Sequence, residues 1–368
     1  MAQFLSLFSN VFNFTWQQGL MIAIGGVLIY LAIQKKMEPT LLLPLGFGAI
    51  LVNIPLVNAE AIQTLFSAGI ATELFPLLLF IAIGAMIDFG PLLSNPKMLL
   101  FGAAAQFGIF FTLCMARLIG FDLKDAASIA IIGAADGPTS IYVSQFFHSR
   151  YQGAIMVAAY SYMALVPIVQ PPVIKLITTR KERLIRMPYR PESVSRRTKI
   201  LFPIIVTVIA GAVAPKSAEL VGFLMFGNLI RECGVLNSLS ETAQNTMANL
   251  ITILLGITVA FRMQAKDFVT FETLAIILLG LVAFVFDTAG GVLFAKLMNL
   301  FTKKKVNPMI GAAGISAFPM ASRVVNKMGL EEDPQNFLLM HAAGANVSGQ
   351  IASVIAGGLV ITLIGNLI

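Results

Sequence analysis

Windows of roughly 20 mainly apolar residues, the length a helix needs to cross a bilayer, recur along this chain from Gln18–Gln34 to Phe337–Ile364. Inside hydrocarbon every backbone polar group must find its partner within protein, so each window folds as a helix, or as a broken helix whose free carbonyls line protein or a cavity. With 57% hydrophobic and only 12% charged residues, the chain lies far from the composition of a soluble domain. The expectation is an all-α polytopic membrane protein with about ten or eleven transmembrane segments, some of them broken.

Charge gives this chain its organisation. A net charge of +7 could suggest nucleic acid, but the basic residues are gathered in loops, so no nucleic-acid partner is expected. The one long polar stretch, Lys175 to Lys199, carries Arg180, Lys181, Arg183, Arg186, Arg190, Arg196 and Arg197. By the positive-inside rule it is expected to face the cytoplasm, as is the run Lys303-Lys304-Lys305. This divides the chain into a first transmembrane half (17–174), a basic cytoplasmic loop (175–199) and a second half (200–368). The opening segment MAQFLSLFSNVFNFTWQQG lacks a basic n-region and a small-residue cleavage site. Residues 1–16 are expected as an amphipathic interfacial helix, with Trp16 in the aromatic belt.

Several chemistries find no support. Cys114 and Cys233 are too few and too far apart for a metal cluster or a disulfide framework. His148 and His341 lack metal-ligand spacing. Nucleotide-binding and haem-attachment motifs are absent.

The two halves resemble each other. IGAMIDFGP (83–91) and AADGPTSIYVS (134–144) in the first are matched by IGAAGISAFP (310–319) and AAGANVSGQIAS (342–353) in the second. Paired interrupted segments of this kind mark the ion site of a transporter built from inverted repeats. Asp136 stands beside the helix breakers Gly137 and Pro138, where carboxylate, hydroxyl and carbonyl oxygens suit a hard cation. Its plain structural reading is an N-cap for the helix that follows. Asn307, Gly311 and Ser316 form a second polar segment. Asn346 holds in the second half the place of Asp136 in the first, and Arg323 adds a cation after the Pro319 break. An ionisable residue at membrane depth is a functional candidate by default, yet Asp88 is expected near a membrane surface, and Asp287, though deeper, is read as structural.

The stretches DFGPLLSNP, GAADGPTSIY, GNLIRECGV, FDTAGG, NPMIGAAGISAFPMASRV and HAAGANVSGQIAS together resemble the β subunits of sodium-pumping biotin-dependent decarboxylases, across essentially the whole chain. The resemblance implies a membrane subunit that decarboxylates carboxybiotin held on a partner and couples this to sodium export and proton uptake. It assigns catalytic roles to Asp136, Tyr162 and Arg323, the last binding the carboxylated substrate, and sodium binding to Asp136, Asn307, Gly311, Ser316 and Asn346. It implies Na+ and biotin, the latter not attached to this chain. The implied partners are a carboxyltransferase α subunit, a biotin carrier protein, a small membrane γ/δ-type subunit and further copies of the chain. The competing reading is a sodium-coupled secondary transporter, a carboxylate symporter or sodium/proton antiporter, without decarboxylase chemistry.

Overall fold

The chain, as a computed structural model, is described for residues 14–36, 39–55, 59–188 and 194–367. The described residues are predominantly helical, with no strand among them. The first half holds α1 (Trp16–Gln34), α2 (Pro39–Asn53), α3 (Glu60–Gly69), α4 (Leu74–Met86), α5 (Leu99–Ala105), α6 (Phe107–Ile119), α7 (Leu123–Ala130), α8 (Gly137–Phe146) and α9 (Gln152–Ile177). The second holds α10 (Arg196–Val213), α11 (Ala218–Glu232), α12 (Ala248–Val259), α13 (Phe271–Phe301), α14 (Met320–Glu332) and α15 (Leu339–Gly365). Apart from Phe14, Thr15 and Trp16, the segment expected to form the interfacial helix lies outside the described residues. Trp16 opens α1 with 70% of its surface exposed, and Thr15 caps that helix with Gln18 in a reciprocal capping box.

Among the described residues, five helical stretches are long and apolar enough to cross a membrane unaided, and seven if two bent pairs are each counted as one span. The expectation of ten or eleven exceeds this number; the remaining apolar windows form helices too short to count as spans, such as Pro39–Asn53. α3 and α4 meet at 62°, around Glu73 with its φ of 62°. α9 turns by 68° between Met163 and Leu165; Pro167 has no N–H for the Met163 carbonyl and its ring clashes there. The helical run of α7 and α8 is broken at residues 131–136.

Three apolar cores hold the molecule. The largest joins α4, α5, α11, α14 and α15 around Phe80, Phe101, Leu224 and Val354. A second gathers α1, α2, the start of α9 and α12 around Met21, Leu45, Met156 and Leu255, and a third joins α6, α7, α9 and α13. Both of the first two draw on α9, which therefore links them. Elsewhere, large apolar side chains point outward, among them Phe47, Val208, Leu278 and Phe301, as the surface of a bilayer-embedded protein requires.

The basic stretch is strapped to the second half. Arg183 pairs with Glu332 at 2.5 Å and its guanidinium also donates to the Thr178 carbonyl at 2.7 Å, while Arg186 pairs with Asp333. Lys296, near the end of α13, reaches Glu182 at 3.2 Å. The two basic segments therefore share one face of the molecule, as the positive-inside reading requires.

Candidate functional site

Three of the four small-residue stretches interrupt their helices. α7 tightens into a 3-10 turn at Ile131–Ala134, Ala135 adopts φ 51°, and Asp136 turns extended before α8 begins at Gly137. The chain breaks again between Met86 and Gly90, and between Ala312 and Met320. The fourth stretch does not break. Asn346 sits inside α15, a continuous helix from Leu339 to Gly365, which corrects the expectation of an interruption there. That stretch contains no proline, and glycines in a tightly packed span favour close helix contact over unwinding.

Two of the breaks meet. The backbone N–H and the hydroxyl of Ser316 both donate to the Ala134 carbonyl, at 3.2 and 2.6 Å. That carbonyl is one that the break leaves without a helical partner. α15 closes the third side. Gln350 donates its amide to the Ser316 carbonyl, Asn346 donates to the Ile315 carbonyl at 2.7 Å, and Ser353 donates to Asp136 Oδ2 at 2.6 Å. Residues 346, 350 and 353 follow the i, i+4, i+7 spacing of one helical face.

Asp136 is 3% exposed and accepts three bonds. Thr139 gives its N–H to Oδ1 at 3.2 Å and its hydroxyl to Oδ2 at 2.8 Å, and Ser353 adds the third. The N-cap reading is therefore present, with a long-range donor added to it. A cavity of about 250 Å3 adjoins the carboxylate, lined by residues that include Ile83, Met86, Pro138, Met163, Phe318 and Gln350. The amide oxygens of Gln350 and Asn346, both buried, receive no hydrogen bond. Buried acceptors without donors carry a desolvation cost, which a cation relieves.

Other expected site residues stand elsewhere. Asn307 is fully buried, but its amide donates to the carbonyls of Arg183 and Ile185 at 2.8 and 2.9 Å, and its oxygen accepts from Met309 N–H at 3.1 Å. It fastens the basic stretch and does not line the cavity. Gly311 packs backbone to backbone on Gly291, where a methyl on either residue would strike the other's carbonyl. These two placements depart from the expected sodium-ligand set: the signal in Asn307 and Gly311 is that of a fastening and a close helix crossing. Tyr162 donates its hydroxyl to the Ile277 carbonyl, behind the break. Arg323 is exposed on α14 and lines a separate surface hollow with Asn326, Lys327 and Glu331, on the helix whose end pairs with the basic stretch.

Thr139, Gln350 and Ser353 were not singled out from sequence, although all three lie within the motifs quoted above; their helical spacing from Asp136 and Asn346 was the available signal. Asp88 is surface-placed, with Lys199 3.5 Å away. Asp287 is fully buried. It accepts from the Gly108 N–H, its other oxygen receives no bond, and it lies against Gly133 of the Asp136 break.

Comparison with known proteins agrees with this architecture. Residues 17–364 match the family described as the Na+-transporting oxaloacetate decarboxylase beta subunit. The chain is 49% identical to a glutaconyl-CoA decarboxylase subunit beta of Acidaminococcus fermentans, covering 97% of this chain and 96% of that one. It is 50% identical to a methylmalonyl-CoA decarboxylase subunit beta of Veillonella parvula, again over 97% and 96%. To an oxaloacetate decarboxylase beta chain of Klebsiella pneumoniae it is 45% identical, over 94% of each. A polytopic helical chain, with a buried carboxylate at a helix break and a family match along nearly its whole length, belongs to the beta subunits of the Na+-transporting decarboxylases.

Proposed function

We propose that this subunit decarboxylates carboxybiotin, presented by a biotin carrier protein, and uses the reaction to export sodium and take up a proton across a prokaryotic cytoplasmic membrane. A carboxyltransferase α subunit loads the carrier, a small γ/δ-type membrane subunit joins the assembly, and the chain works as an oligomer. The observation that carries the reading is the convergence of oxygens at the Asp136 break. One carboxylate, the hydroxyls of Thr139, Ser316 and Ser353, and the donor-free amide oxygen of Gln350 make an oxygen set suited to a hard monovalent cation, with the donor-free Asn346 oxygen one helical turn away on α15. Its single formal negative charge suits Na+ or a proton, the two ions to be exchanged.

Each residue then has a task. Asp136 holds the cation in exchange with a proton, and Ser353 and Thr139 fix the carboxylate when the cation leaves. Gln350 and Asn346 tie α15 to the second break, so a movement of that break changes the spacing around Asp136. Arg323, on the basic face, attracts the carboxylate of the substrate. An N-carboxylated biotin gives up carbon dioxide when its carboxylate leaves water and its ureido nitrogen gains a proton, and a water-poor cavity favours both. Tyr162, or a hydroxyl of the cavity, relays that proton. Moving one charge against 100 mV takes about 2.3 kcal/mol, so one decarboxylation drives only a few ions.

The test is sodium uptake into inverted vesicles carrying this chain with its decarboxylase partners. Uptake that starts with the acyl substrate and stops with avidin supports the pump. Sodium movement that persists with avidin present and the partners absent sinks it in favour of a secondary transporter.

A further inference from the structure

On the basic face, away from the Asp136 cavity, the end of α13 and the stretch after α9 enclose a hollow of about 610 Å3, lined by residues that include Lys181, Glu182, Ile185, Lys296, Leu300 and Lys305. Three lysines face one carboxylate. Lys296 is engaged by Glu182 at 3.2 Å and by the Ile177 carbonyl at 2.9 Å. Lys305 donates to the Asn299 carbonyl, which leaves it further N–H groups, since an ammonium carries three. Lys181 is exposed. The hollow therefore holds a surplus of positive charge with donors to spare.

What surrounds it is apolar. Leu176 is 87% exposed, Leu300 75% and Phe301 82%, all on the two helix ends that frame the lysines. α13 has 31 residues, about 46 Å of helix, which exceeds the roughly 30 Å hydrocarbon core. The lysines at 303–305 that follow it mark this end as the one that reaches the headgroup layer, with exposed Leu300 and Phe301 beside the ammonium groups. A soluble anion satisfies only the lysines. A ligand carrying both a phosphate and hydrocarbon chains satisfies the whole surface, and basic pockets between helix ends on the cytoplasmic side suit such headgroups.

We propose that this hollow seats the phosphate headgroup of an anionic phospholipid, with its acyl chains running down the exposed apolar sides of Leu300, Phe301 and Leu176. The site is separate from the ion pathway and does not depend on the pump reading.

The experiment is native mass spectrometry of the full-length purified chain, delipidated and offered phosphatidylglycerol and phosphatidylcholine in equal amounts. The wild-type protein is expected to retain phosphatidylglycerol in preference. Lys181→Gln/Lys305→Gln lowers that preference by about fivefold per lysine, while Lys181→Arg/Lys305→Arg keeps it, which separates loss of charge from loss of fold. Lys327→Gln, on the same face but outside the hollow, leaves the preference unchanged. Equal retention of the two lipids by the wild-type chain, an equal loss in Lys327→Gln, or displacement of the lipid by millimolar inorganic phosphate each overturns the proposal.

Discussion

The hydroxyl of Ser353 donates to Asp136 Oδ2 at 2.6 Å, across 217 residues of sequence, and so ties the middle of α15 to the break between α7 and α8. Ser353 lies 14 residues into a 27-residue helix, about 21 Å along a length of about 40 Å. The carboxylate it holds is therefore near the mid-depth of that span, where a charge persists only with partners.

Replacing Ser353 with Ala removes one donor to a buried carboxylate. Ser353 also belongs to the proposed oxygen set and orients the carboxylate; losing a group that orients a metal ligand costs about 10–100-fold in metal affinity, so the sodium concentration for half-maximal decarboxylation by the assembled complex is expected to rise at least about tenfold. An unchanged sodium dependence with intact thermal stability reduces Ser353 to a packing residue.

Tyr160 and Tyr162 separate a bonded hydroxyl from an orphan one. Tyr162 donates to the Ile277 carbonyl, whereas the buried Tyr160 hydroxyl has no partner. Tyr162→Phe is expected to cost about 1 kcal/mol, and Tyr160→Phe to be neutral or stabilising. Thermal unfolding of the two variants in the same detergent checks the order, and the reverse order contradicts the assigned bonds.

Gly133 and Asp287 form a support behind the Asp136 break. A methyl on Gly133 would stand 2.9 Å from Asp287 Oδ2 and 3.1 Å from the Ala283 Cβ. Gly133→Ala is expected to destabilise by about 1–3 kcal/mol through overpacking and to weaken sodium dependence as the break shifts. Asp287→Asn keeps an acceptor for the Gly108 N–H and is expected to perturb less than Asp287→Ala, which leaves that donor unpaired. Unfolding temperatures and sodium titrations of the three variants test this order.

The strap on the basic face responds to pH through Asp333. The Arg186 guanidinium holds its carboxyl below the ordinary aspartate range. A lowered folded-state pKa means that the contribution is present above the unfolded value near 3.9, and is lost as pH falls through the lower folded value. A spin label at Leu184 in a background lacking Cys114 and Cys233 is expected to keep constant mobility above about pH 5 and to gain it below pH 4. In Arg186→Gln the transition moves to higher pH; an identical transition in that variant removes Asp333 from the strap.

Much of this architecture was legible in the residues. Apolar windows gave the helices, and Gly137-Pro138 next to Asp136 marked the break, because local chemistry alone dictates both. The basic run from Lys175 and the lysines at 303–305 were legible as polar segments, and the fold brings them to one face. What local reasoning missed is set by distant contacts. Asn307 precedes a proline and looks like a ligand, but only the fold reveals the carbonyls of Arg183 and Ile185 beside it. Asn346 sits among residues that resemble a break, yet packing keeps α15 continuous. Ser353 carries no distinguishing neighbour in sequence, and its importance lies wholly in facing Asp136.

The central claim, that a sodium ion binds at the Asp136 break, is tested most directly by equilibrium binding of radioactive sodium to the purified chain and to its Asp136→Asn variant, with thermal unfolding as the check on fold. Saturable binding by the wild-type chain that disappears in a well-folded Asp136→Asn protein is the predicted result. Equal saturable binding by both proteins contradicts it.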